Sequence, residues 1–104
     1  MSAELDRAFE ALADPTRRRM VRLLGEAPRR SGELAALLTL SRPSASKHLA
    51  ALREAGVVAE GGDPGDARAR VYRLRPRAFR ALRGWLDEVE ACRGRAAACS
   101  RPTE

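Results

Sequence analysis

The sequence predicts a mainly α-helical domain carrying one small β-hairpin, in the order α-α-α-α-β-β-α. Three observations carry this. Apolar residues recur at helical spacing along most of the chain. Helix-start residues precede these runs: Asp14-Pro15, Ser31 and Ser41. Two short β-prone runs, 57–59 and 70–74, bracket the breaker-rich stretch GGDPGDARA.

Leu5, Phe9 and Leu12 place a first helix over about 3–13. Asp14 is an N-cap, and Pro15 follows where a missing N–H costs nothing. The second helix covers about 15–25, with Met20, Val21, Leu23 and Leu24 inward and Arg17, Arg18 and Arg22 outward; Gly25 and Pro28 end it. Ser31 caps a third helix over 32–38, striped by Leu34, Leu37 and Leu38, and Thr39-Leu40 makes a short turn. Ser41 caps the fourth helix, whose first turn holds Pro43, and Gly56 supplies the left-handed residue that stops it. The two β-prone runs pair as one hairpin around the loop 61–69. After Pro76 a last helix covers about 77–92, with Phe79, Leu82, Trp85, Leu86 and Val89 on one face. The rest, 93–104, has no periodicity and is expected to fray. Residues 1–92 thus form one domain, as 104 residues allow. A chain this short buries only about two-thirds of its unfolded surface, so self-pairing would add core.

The formal charge is +6. Residues 41–83 hold ten basic side chains against four acidic ones, so the local excess equals the whole net charge. A concentrated excess suits a polyanion. The bland source is codon bias, since nineteen of the twenty basic residues are arginine. No apolar run reaches the roughly 18 residues of a membrane span. Residues 1–6 are polar and acidic, unlike a signal peptide, which places the chain in the cytoplasm with thiols at rest.

The stretch SRPSASKHLAALREAG, 41–56, carries most of the functional information. At 100° per residue, Leu49 and Leu52 fall within about 40° of Ala45, which marks the centre of the inward face. Pro43, Lys47, Ala50 and Glu54 point the other way, with Ser44 and Ser46 on the flanks. The first turns therefore offer hydroxyls, a small apolar surface and one cation. That suits a major groove, where serine meets base edges and methyl-sized groups meet thymine. Arg42, beside the helix N-terminus, would sit well on a phosphate. The alternative is an ordinary amphipathic helix with a solvated face. A helix, tight turn, second helix and Gly/Arg-rich hairpin in that order is a winged helix-turn-helix. Arg68 and Arg70 on the hairpin would reach backbone phosphates or the minor groove, opposed in part by Asp63 and Asp66. His48, at the edge of the apolar face, fits a half-buried packing residue better than a DNA contact or a metal ligand.

Three segments together carry a family resemblance: FEALADPTRRRMVRLL (9–24), GELAALLTLSRPSASKHLAALREAGVV (32–58) and VYRLRP (71–76). The chain resembles the arsenic-repressor (ArsR/SmtB) family of bacterial winged-helix regulators over about residues 5–90. The resemblance implies a homodimer and binding to operator DNA, with repression released by an effector. It places recognition on Arg42, Ser44, Ala45, Ser46, Lys47 and His48, and the wing on 61–70. It places the dimer face on Leu5, Phe9, Leu12, Phe79, Leu82, Trp85, Leu86 and Val89.

The departures bear on sensing. Metal-sensing members often carry a Cys-x-Cys pair in the third helix, where this chain reads Ser31-Gly32-Glu33-Leu34. Others use Asp and His on the last helix, which here holds Asp87, Glu88 and Glu90 without histidine. No metal site is recognisable. Cys92 and Cys99, seven apart, would share a helix face about 10.5 Å apart along the axis. Thiolates from two subunits could bind a soft metal or arsenite there, or oxidise. The carboxylates could take nickel or zinc.

Two other functional classes fit these residues less well. A docking module acting through an accessory protein partner would present large apolar anchors on the fourth helix, and its outer face has none. An enzyme is excluded on one histidine, no phosphate-cradling glycine motif and too little chain for a closed pocket.

Overall fold

The computed structural model describes the backbone of residues 3–99 and the side chains of 3–95. Its elements are α1 (Ala3–Leu12), α2 (Pro15–Glu26), α3 (Ser31–Leu38), α4 (Arg42–Glu54), β1 (Val58–Asp63), β2 (Asp66–Leu74) and α5 (Pro76–Cys99). The class, order and hairpin expected from sequence are all present.

Local chemistry explains most boundaries. Asp14 caps α2 by accepting the Arg17 N–H at 3.0 Å, and Pro15 stands at the first helical position. Ser41 caps α4 by accepting the Ser44 N–H at 3.2 Å. Gly56, at φ 79°, turns the chain out of α4. Thr39 closes α3 in the left-handed region at φ 56°, and the Leu40 N–H returns to the Ala35 carbonyl at 2.8 Å. That tight return holds α3 and α4 as a helix-turn-helix.

Four boundaries differ from expectation. Ser31 lies inside α3, and Arg30 is the N-cap. With Arg30 there, Glu33 occupies the third helical position and its carboxylate accepts the Arg30 N–H at 3.1 Å; a Ser31 cap would put Leu34 in that place. Gly25 lies within α2, which ends one residue later against an extended Ala27. The hairpin is longer than expected, because strand pairing carries through most of GGDPGDARA and leaves only Pro64-Gly65 as the turn. Proline's fixed negative φ excludes the primed turns that suit hairpins, and the register slips between Gly62 and Asp63 beside it. Finally, α5 continues past 92 to Cys99, since Ala96, Ala97 and Ala98 favour helix and no proline intervenes. Residues 100–104 of the expected frayed tail lie outside the described residues.

The core gathers Met20, Leu34, Leu49, Leu52, Val57 and Val58, all fully buried. Around them pack Leu5, Ala8, Ala11, Leu24, Leu38, Ala45 and Leu82. Beyond β1 and β2, the residue before α3's cap also joins the sheet. The Arg29 N–H donates to the Tyr72 carbonyl at 3.1 Å, and the Tyr72 N–H returns to the Arg29 carbonyl at 2.8 Å. The wing is thereby stitched to the helix-turn-helix by backbone.

Truncating the central residue of α4 tests this packing. Leu49→Ala is expected to cost about 2–5 kcal/mol, seen as a lower urea midpoint with an unchanged slope.

Candidate nucleic-acid interface

Helix α4 sets its inward stripe on Ala45, Leu49 and Leu52, each fully buried. The opposite side leaves Arg42, Pro43, Ser46, Lys47 and Ala50 exposed, with Ser44 and His48 half-buried. One residue expected at the interface is therefore misplaced. Ala45 is 0% exposed and cannot reach a duplex, because residues spaced 4 and 7 along a helix share a face and this face is claimed by the core. The resemblance implies contacts from Arg42 and from 44–48, and helical periodicity turns one of these, Ala45, into the core.

His48 turns its ring toward the start of α2. Its Nδ1 lies 3.4 Å from Arg17 Nη1 and 3.9 Å from Asp14 Oδ2. Arg17 is itself anchored, donating from Nε to the Ala11 carbonyl at 2.7 Å. The histidine side chain is 22% exposed, so it packs at the rim of the interface as its position on the helical wheel suggested. The Arg17 backbone N–H holds the Asp14 carboxyl below the usual carboxylate range, aided by the charges of Arg17 and His48 and opposed by desolvation.

Arginines on the wing divide by partner. Glu60 accepts from Arg53 Nη1 at 2.5 Å and lies 3.5 Å from Arg70 Nε. Arg70, expected to face DNA, is thus drawn toward the base of its own hairpin. At the tip, Asp63 Oδ2 meets Arg30 Nη2 at 2.8 Å, and Asp66 lies 4.0 Å from the same nitrogen. Arg30 keeps the Asp63 carboxyl well below the usual carboxylate range, and the Gly65 N–H adds to the effect. Arg30, Arg53 and Glu60 were missed in the sequence. Their partners stand 7 to 33 residues away, and no short-range signal marks such pairs. The side chains of Arg42, Lys47 and Arg68 make no hydrogen bond or ion pair among the described residues. Arg42 lies back toward α3, close enough that a Cβ on Gly32 would sit 3.1 Å from its Nη2.

The residues expected at a dimer face separate into two groups. Leu5 and Leu82 belong to the subunit's own core, with Leu12 and Phe79 packed against it. Phe9, Trp85, Leu86 and Val89 are exposed, at 39, 39, 52 and 44%. Phe9 and Trp85 meet edge to face, centroids 5.2 Å apart. Cys92 is exposed on α5; the Cys99 side chain lies outside the described residues. Among the described residues no group of three His, Cys, Asp or Glu side chains gathers closely enough to hold a metal, and no helix is long and apolar enough to cross a membrane.

The family model described as "Bacterial regulatory protein, arsR family" matches residues 14–60. The chain is 48% identical over 82 residues to the HTH-type transcriptional regulator Rv2034 of Mycobacterium tuberculosis, covering 79% of this chain and 74% of that protein. It is 36% identical over 56 residues to the transcriptional repressor SdpR of Bacillus subtilis, covering 54% of this chain and 62% of that protein. The solved structure of an ArsR-like transcriptional regulator from Rhodococcus sp. RHA1 superposes with a TM-score of 0.80 at 32% identity, covering 93% of this chain and 89% of that one.

The Asp14 environment has a pH consequence. Its folded pKa is depressed, so its contribution to stability is present above the ordinary carboxylate pKa. That contribution is lost as pH falls through the lowered folded value. Asp14→Asn keeps a capping acceptor but removes the charge. It is expected to flatten the acid limb of stability against pH, followed as urea midpoints across an acidic series.

Proposed function

Since this chain belongs to the arsR family of bacterial regulatory proteins and is a DNA-binding transcriptional regulator, we propose that it acts as a homodimeric repressor reading its operator through α4. Each subunit lays the N-terminal turns of α4 in a major groove, with Ser44 and Ser46 at base edges and Arg42 and Lys47 on phosphates. His48 supports the rim, and Arg68, with Arg70 behind it, follows the adjacent backbone. Two subunits related by a two-fold axis address half-sites about 34 Å apart. The observation that carries this reading is the placement of exposed Arg42 and Lys47 beside exposed Ser46 on the small-residue outer side of α4, with exposed Arg68 on the wing. A phosphate backbone would pair with these cations and release counterions on binding.

The exposed Phe9, Trp85, Leu86 and Val89 support pairing through α1 and α5. Repression follows from promoter occlusion, in keeping with the repressor among the relatives. The protein works by binding in the cytoplasm and catalyses nothing. Any effector would act through α5, where exposed Cys92 and the carboxylates of Asp87, Glu88 and Glu90 offer soft-metal, arsenite or harder-metal chemistry.

Lys47→Ala is expected to weaken binding to a pool of random duplexes and to lower the salt slope of log affinity by roughly one. Ser46→Ala is expected to change the sequences selected from that pool more than the affinity. A native chain whose affinity ignores salt would overturn the reading. Trp85→Ala is expected to weaken self-association by about 2 kcal/mol or more, measured by sedimentation across protein concentration.

A further inference from the structure

Two successive arginines hold the wing from the same side. Arg29 does so through its backbone, by paired hydrogen bonds to Tyr72 in the middle of β2. Arg30 does so through its side chain, which runs on to the hairpin tip and meets Asp63 Oδ2 at 2.8 Å. The second oxygen of that carboxylate accepts the Gly65 N–H at 2.9 Å. One acid thus shapes the turn with one oxygen and fastens it to the start of α3 with the other. At the hairpin base, Glu60 takes Arg53 of α4 together with Arg70. The wing is consequently tied to α4 at its base and to α3 at its tip. Arg68 stands near the tip with its backbone N–H donating to Asp66 Oδ1 at 3.1 Å and its side chain exposed.

Two carboxylates at the tip of a phosphate-facing hairpin would by themselves repel a duplex. Their presence is explained if one of them holds the wing in place. We propose that Arg30 and Asp63 form a clamp that sets the angle between the wing and α4, making Arg30 a positioning residue for DNA binding. This inference rests on the DNA-binding reading above. It assigns Asp63 an effect opposite in sign to its charge: losing the acid makes the protein more positive yet releases the wing. Simple charge complementarity requires the reverse.

The test uses the full chain and a fluorescent duplex pool of random sequence, titrated at low salt by anisotropy, with thermal melting alongside. Asp63→Asn retains an acceptor for the Gly65 N–H and removes the ion pair. Both it and Arg30→Ala are expected to weaken binding roughly threefold, the scale of an exposed ion pair, with the melting midpoint lowered by no more than about a few degrees. Arg30→Lys is expected to recover part of the loss. The charge exchange R30D/D63R is expected to bind more tightly than the sum of the separate Arg30→Asp and Asp63→Arg effects requires, because contacting residues couple. Asp63→Asn binding as tightly as the native chain or more tightly would overturn the clamp, as would an exchange whose effect equals that sum. Those outcomes leave the regulator reading standing. A native chain that fails to bind the duplex would bring down that reading, and this inference with it.

Discussion

Burial of one narrow stripe on α4 governs the rest of the molecule. Ala45, Leu49 and Leu52 are fully enclosed, and Val57 and Val58 continue the same core just past the Gly56 turn. Apolar burial of this kind is the dominant favourable term in folding. A helix that commits three successive inward positions has no freedom left to rotate. Its outer residues are thereby fixed as Arg42, Pro43, Ser46, Lys47 and Ala50. Small side chains there are useful only because the stripe behind them holds the helix steady. The proposed DNA contact at this surface would thus depend on packing on the other side.

Arginine does several jobs here, and the net charge conceals them. Arg17, Arg18 and Arg29 each donate to a carbonyl near the end of a neighbouring helix: Ala11, Leu12 and Leu23. In those places the guanidinium acts as a structural donor for carbonyls that a helix terminus leaves without partners. Arg30, Arg53 and Arg70 bind acids of the wing. Arg42, Lys47 and Arg68 are exposed at the start of α4 and on the wing, where the proposed interface lies. The basic excess over 41–83 therefore pointed to the right class of partner, while the individual contacts depend on which arginines the fold has already engaged.

The end helices present the opposite case. The face shared by Phe79, Leu82, Trp85, Leu86 and Val89 is wider than α1 alone can cover. Leu82 finds the core, whereas Trp85, Leu86 and Val89 stay partly exposed to water, as does Phe9. A 24-residue helix with one short partner leaves apolar surface over. Removing that surface from water would favour the pairing of two subunits proposed above.

Much of this protein is legible in its residues alone. Caps at Asp14 and Ser41, the stop at Gly56, the helix order and the hairpin all follow from chemistry acting over three or four residues, and such interactions carry their own spacing in the sequence. Periodicity also marks Ala45 as inward, and a site assigned by resemblance erred where it overrode that periodicity. Local rules failed where a neighbour in space competed. Arg30 displaced Ser31 as a cap because Glu33 could reach back to it, and strand pairing pulled a breaker-rich loop into a ladder. Which arginines stay free and which hold the wing was decided only in three dimensions, since an ion pair depends on where two distant side chains arrive. Nothing in the sequence near Arg30 records that Asp63 will be there.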